Sequence, residues 1–157
     1  MTEYKLYCDM DGVLTNFSKA YLKLTGIDLK GKFVDLPDFW KPIDKAGEKF
    51  WSEMEWKEDG KELWNYIKQF EPIILSAPSE DITSITGKFK WLSKNIPETK
   101  LILRKKEKKH EFGKDKHCIL IDDMEETIKR WNDAGGTGIH HVSTKNTIKR
   151  LEEILKS

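Results

Sequence analysis

The chain has 157 residues, 38% of them hydrophobic and 35% charged, with 28 basic and 27 acidic side chains and a net charge of +1. That length allows one domain with a proper core, and that composition excludes a disordered chain. The charge balance supplies no field to hold nucleic acid or an acidic membrane, and no apolar run approaches the roughly 20 residues that span a bilayer. The opening Met1-Thr2-Glu3-Tyr4-Lys5 lacks a signal peptide's apolar stretch, so a cytoplasmic protein is expected. Cys8 and Cys118, both in apolar segments, are expected to be reduced thiols.

In chain order, the first apolar run, Lys5-Leu6-Tyr7-Cys8, reads as a buried strand and leads into Asp9-Met10-Asp11-Gly12-Val13-Leu14-Thr15. From about Lys30 to Trp56 the rhythm breaks. Phe33, Phe39, Trp40, Phe50, Trp51 and Trp56 stand among charges, with Pro37 and Pro42 as interruptions, in an irregular, partly helical insertion. Leu63, Ile67 and Phe70 then follow helical spacing, with Trp64 on the same side. A second strand, Pro72-Ile73-Ile74-Leu75, ends at Ser76-Ala77-Pro78-Ser79. The next helix has Ile85, Phe89, Leu92 and Ile96 as its expected core stripe. Ser79 is its expected cap, Glu80 and Asp81 suit its positive end, and Pro97 stops it. Leu101-Ile102-Leu103 is a third strand, followed by a basic run with Lys105, Lys106, Lys108 and Lys109. Cys118-Ile119-Leu120-Ile121 is a fourth, ending at Asp122-Asp123. Ile128 and Trp131 mark a helix ended by Gly135-Gly136. Gly138-Ile139-His140-His141-Val142 is a weaker fifth strand, and Ile148, Leu151, Ile154 and Leu155 mark a last helix.

Strands without alternation are covered on both faces, and strand alternating with helix gives a parallel α/β sheet. Such sheets place ligands at the carboxyl ends of their strands. Here acids or hydroxyls follow three of the apolar runs. Asp9 and Asp11 point the same way from an extended chain, one suited to attack on phosphorus and the other to handling a proton. Gly12 permits the sharp turn beside them. Asp9, Asp11, Asp122 and Asp123 in one cleft repel one another and resist desolvation. A hard divalent cation relieves both, and magnesium also suits a phosphate. Each element alone is ordinary: Asp-x-Asp-Gly is a common turn, Asp-Asp a common helix cap, and Ser76 a plain turn hydroxyl. Their order behind successive strands carries the expectation. His110, His117, His140 and His141 lack companions at ligand spacing and read as surface or packing residues.

Asp9-Met10-Asp11-Gly12-Val13-Leu14-Thr15, Leu75-Ser76, a downstream lysine and Ile119-Leu120-Ile121-Asp122-Asp123 resemble, in order and spacing across nearly the whole chain, the haloacid dehalogenase-like (HAD) phosphatase superfamily. The Asp-Met-Asp-Gly-Val-Leu run followed by Phe17, the Phe39-Trp40 pair, Trp51, the Trp91-Leu92 helix and the Leu120-Ile121-Asp122-Asp123 ending resemble more narrowly the 5′(3′)-deoxyribonucleotidase family. The resemblance implies a Rossmann-like three-layer α/β sandwich with a central parallel sheet over residues 1–157, and a small, mostly helical cap at about residues 17–70. It also implies a magnesium-dependent phosphomonoester hydrolase that works through an aspartyl-phosphate, with a nucleoside monophosphate as its substrate.

On that resemblance Asp9 maps to the nucleophile and Asp11 to the acid–base group. Magnesium maps to Asp9, the Asp11 backbone carbonyl and the Asp122-Asp123 pair. Ser76 and the backbone N–H of Ala77 map to the phosphate grip. The motif lysine maps best to Lys109, then to Lys106, then to Lys88 on the earlier helix. Phe17, Phe39, Trp40 and Trp51 map to a nucleoside pocket, where stacking on a base is worth roughly 1–3 kcal/mol. The same core suits sugar phosphates or nucleic-acid 3′ ends, and a non-catalytic binding module is a further alternative. Near-neutral charge disfavours a polynucleotide, so neither a membrane nor a stable nucleic-acid partner is expected.

Overall fold

The computed structural model describes residues 3–30 and 37–157; Phe33, part of the expected insertion, lies outside them. Five parallel strands form one sheet: β1 (Lys5–Cys8), β2 (Ile73–Ser76), β3 (Leu101–Leu103), β4 (Cys118–Asp122) and β5 (Thr137–His140). All five expected strands are present. Their order is β3-β2-β1-β4-β5. Successive side chains point to opposite faces, so β1 to β4 each feed two cores. Leu6, Cys8, Ile74, Ile119, Ile121 and Ile139 face one way, and Tyr7, Ile73, Leu75 and Leu120 the other. This is why the runs are apolar throughout.

Helices cover both faces. Between β1 and β2 lie α1 (Phe17–Thr25), α2 (Pro37–Ala46), α3 (Glu48–Ser52) and α4 (Gly60–Ile67). α5 (Ile82–Asn95), α6 (Glu125–Asp133) and α7 (Thr144–Lys156) follow. Leu63 and Ile67 of α4, Trp91 and Leu92 of α5, and Leu151 and Ile154 of α7 join the first core. Ile128 and Trp131 of α6 join the second, completing three layers. Trp131 is fully buried and donates its indole N–H to the Cys118 carbonyl at 2.9 Å. Truncating such a side chain costs about 3–5 kcal/mol. Cys8 and Cys118 are both free thiols. Among the described residues no helix is long and apolar enough to cross a membrane.

Three helical expectations need correction. The buried face of α5 is Ser84, Gly87, Lys88, Trp91 and Leu92, while Phe89 of the expected stripe is 49% exposed. A lysine reads as a surface residue by composition, yet here its charge finds buried partners and the helix turns that side inward. The cap of α5 is Asp81, whose carboxylate accepts the Thr83 N–H at 2.9 Å, whereas Ser79 lies too far ahead of the first turn. Phe70 also falls beyond α4, in a short 3₁₀ turn (Lys68–Phe70), and is partly exposed.

The order of the strands decides where a ligand can enter. From β1 the chain builds β2 and β3 on one side, then returns to build β4 and β5 on the other. A crevice opens where the direction reverses, beyond the carboxyl ends of β1 and β4.

Candidate active site

The register pairs Cys8 with Ile121, so Asp9 and Asp122 leave the sheet side by side. The Asp9 N–H donates to the Ile121 carbonyl at 2.9 Å, which fixes the first residue past β1. Lys109 arrives from a 3₁₀ helix (Lys106–Phe112) that follows β3. It donates to Asp9 Oδ1 and to Asp122 Oδ2, each at 2.9 Å. The other oxygen of Asp122 accepts the Met124 N–H at 2.9 Å. Asp9, Asp122 and Asp123 each offer one carboxylate oxygen within 4.8 Å of the others.

These charges are out of water: Asp9 is 7% exposed, Lys109 3% and Asp122 0%. Burial, and then the charge of Asp122, push the Asp9 carboxyl well above its usual range. The same two causes push Asp123 up to about 6. Burial works against the charge of Lys109, but Asp9 and Asp122 outweigh it and hold the ammonium above the ordinary lysine range. Lys109 thus pairs with two of three clustered carboxylates, and the excess negative charge is what a hard cation would neutralise.

Gly12 makes room for this arrangement. Its φ is +87°, and a Cβ there would collide with the Asp123 carboxylate. The loop closes through the Gly12 N–H on the Thr15 carbonyl at 2.9 Å and the Thr15 N–H on the Met10 carbonyl at 3.0 Å. Asp11 is turned away from the cluster of three. Its Oδ1 accepts the Thr15 hydroxyl at 2.8 Å and its Oδ2 accepts Lys88 at 2.7 Å. Lys88 also donates to Ser76 Oγ at 2.7 Å. Ser76 ends β2, and Ala77 follows it, half-buried. Lys106 opens the 3₁₀ helix and is half-buried as well.

The four expected pocket aromatics come together. Phe17 stands 6.1 Å from Phe39, 6.4 Å from Trp40 and 5.9 Å from Trp51, centroid to centroid. Phe39 and Trp51 are buried, while Phe17 and Trp40 are half-buried and keep surface to offer. Tyr21 and Phe50 belong to the same cluster, Tyr21 stacking on Phe39 at 4.5 Å and Phe50 meeting Phe17 edge-on at 5.5 Å.

No protein-family model and no curated protein matches the chain. Solved structures do resemble it. A hydrolase from Streptococcus pneumoniae TIGR4 has a TM-score of 0.58 at 16% identity, over 96% of this chain and 100% of that one. The HAD-hydrolase YfnB from Bacillus subtilis, bound to magnesium, has a TM-score of 0.58 at 14% identity, over 99% of this chain and 100% of that one. A HAD family enzyme from Bacteroides thetaiotaomicron, in complex with magnesium and inorganic phosphate, has a TM-score of 0.50 at 15% identity, over 88% of this chain and 93% of that one. This chain has the HAD-like fold.

Within that HAD-like fold the polar groups gather at the carboxyl ends of the strands. An open groove lined by Trp64, Pro72, Asn95 and Lys100 lies at the opposite end and contains none of the site's acids or lysines. Sequence reasoning ranked Lys88 third, behind Lys109 and Lys106, yet Lys88 and Lys109 both sit among the acids. It also missed Tyr21, Phe50 and Thr15. Phe17 and Tyr21 are four apart on α1, and that spacing was the available signal for Tyr21. Of the histidines, His141 is buried against the Thr147 hydroxyl at 2.7 Å, and the exposed His140 places Nε2 3.0 Å from the Asp123 carbonyl.

Proposed function

We propose that this protein is a magnesium-dependent phosphomonoester hydrolase working through an aspartyl-phosphate on Asp9, and that its substrate is a nucleoside monophosphate. The observation that carries the reaction is the cluster of Asp9, Asp122 and Asp123, the first two buried and paired with the Lys109 ammonium, with Asp11 and Ser76 beside it. A non-catalytic module would have no need to keep so repulsive a cluster buried. Asp9, Asp122 and Asp123, with the Asp11 backbone carbonyl, are the groups that would hold magnesium, whose bound charge would draw electron density from the phosphate oxygens.

Asp9 attacks phosphorus, held in its orientation by Lys109. Asp11 gives a proton to the leaving oxygen and then takes one from the water that releases the phosphate. Ser76 already accepts a hydrogen bond from Lys88, so its own hydroxyl proton is left to donate to a phosphate oxygen, beside the Ala77 N–H. Residues from about 17 to 70 act as the cap, in which Phe17 and Trp40 offer ring surface to a base.

The test is phosphate release with magnesium from deoxy- and ribonucleoside monophosphates, sugar phosphates and a 3′-phosphorylated oligonucleotide. Nucleoside monophosphates are expected to be fastest, and the Asp9→Asn protein is expected to be folded and at least ~10³-fold slower. Full activity in Asp9→Asn would remove the nucleophile. A sugar phosphate preferred over every nucleotide would remove the substrate assignment alone.

A further inference from the structure

Lys88 is the charged group that the chemistry above leaves without a task. It lies in the middle of α5 with its side chain 0% exposed, and it donates to Asp11 Oδ2 and Ser76 Oγ, each at 2.7 Å. Its Nζ also stands 4.9 Å from the centroid of the Trp51 ring, within cation–π reach. A buried ammonium survives only with such partners. Its neighbour Gly87 explains how α3 comes so close. A Cβ at Gly87 would run into the Trp51 Cβ and the Glu48 carbonyl, so the two helices meet with backbone almost touching. Lys88 is therefore held by a carboxylate, a hydroxyl and a ring face at once.

We propose that Lys88 is a positioning residue for Asp11, so that two buried lysines divide the site: Lys109 serves Asp9, and Lys88 serves Asp11. The inference rests on the phosphomonoesterase reading given above. One Asp11 oxygen is fixed by the Thr15 hydroxyl and the other by Lys88, which stops the carboxylate turning about its own bond. Both chemical steps need that orientation. In the first, an Asp9 oxygen bonds to phosphorus, the bond from phosphorus to the leaving oxygen breaks, and that oxygen takes the proton of Asp11. In the second, a water oxygen bonds to phosphorus, the bond to Asp9 breaks, and the water proton goes to Asp11. Without Lys88 the carboxylate keeps one anchor and loses its aim. Because Trp51 roofs the lysine, Lys88 links the aromatic segment to the acid–base group.

Lys88→Met separates this role from plain support of the fold. The probes are a deoxynucleoside monophosphate, whose alkoxide needs a proton to leave, and p-nitrophenyl phosphate, whose phenolate does not. In Lys88→Met, turnover of the nucleotide is expected to fall at least ~30-fold. Single-turnover release of p-nitrophenolate is expected to fall far less than the nucleotide rate, because it reports attack by Asp9 without help from Asp11 and loses only the Lys88 hold on Ser76. Steady-state turnover of the same aryl ester should fall with the nucleotide, since water activation still needs Asp11. If the single-turnover rate falls as far as the others, or if nothing changes, the positioning role is overturned. Lys88→Gln, which keeps a donor and removes the charge, carries the same test if the Met variant does not fold. Loss of the folded state in both variants makes Lys88 a residue of the fold and also overturns the role. Inactivity of the parent on every phosphomonoester would bring down the phosphatase reading instead.

Discussion

Lys109 Nζ donates to Asp9 Oδ1 at 2.9 Å from 100 residues further along the chain. The same ammonium meets Asp122, so it is the counter-charge for two of three clustered carboxylates. Lys109→Met leaves them buried and unpaired. In metal-free buffer that substitution is expected to lower stability by about 3–5 kcal/mol. Added magnesium is expected to recover part of the loss. Turnover is expected to fall at least ~100-fold even with metal present, since Asp9 loses its orienting partner. Chemical denaturation with and without magnesium checks this, and a metal-free variant as stable as the parent would show that the pairing carries no weight.

Asp123 gives the site a pH dependence with a defined sign. It ionises at about 6 in the folded chain against an ordinary 3.8, so between those values the folded chain holds more protons than the unfolded one. Stability therefore falls as pH rises through that window, and the whole penalty, roughly 3 kcal/mol, stands above it. The raised carboxyl of Asp9 acts in the same direction. Metal-free protein is expected to melt lower at about pH 7.5 than at about pH 5.5, and magnesium is expected to raise Tm more at the higher value. Melting curves at both values, in chelator and in magnesium, measure it. An equal magnesium effect at the two would contradict the assignment of the cation to these carboxylates.

Gly12→Ala probes how closely the loop fits the acids. The backbone there has φ +87°, and the added methyl meets the Asp123 carboxylate. The strain alone is expected to remove about 1–3 kcal/mol of stability. Displacing Asp123 is expected to weaken magnesium as well, read as a higher metal concentration for half-maximal activity. Unchanged melting together with an unchanged metal requirement would sink both expectations.

Phe17 is partly exposed and, among the described residues, meets the rings of Tyr21, Phe39, Trp40, Phe50 and Trp51. In Phe17→Ala the KM for a deoxynucleoside monophosphate is expected to rise on the order of 5- to 150-fold, the equivalent of losing 1–3 kcal/mol of stacking. Hydrolysis of glycerol phosphate, which has no base, is expected to change little. Equal losses on both substrates would make Phe17 a packing residue only.

The order of the strands' acids was legible because each signal is local. An apolar run and the acid behind it are neighbours in the chain, so Asp9 after Cys8 and Asp122 after Ile121 could be read without knowing the sheet. The five strands follow from the same rule, and so does the parallel architecture they share with the HAD-like fold. The faces of α5 could not be read in this way. Hydrophobic periodicity pointed to Ile85 and Phe89, and the helix instead buries Lys88 beside Trp91. A buried lysine is stable only next to its partners, and the carboxylate partner of Lys88 is 77 residues away. The sequence by itself determined which residues bring charge to the carboxyl edge of the sheet. Only the tertiary structure decided which lysine faces which aspartate, because a charge leaves water only where distant segments supply its opposite.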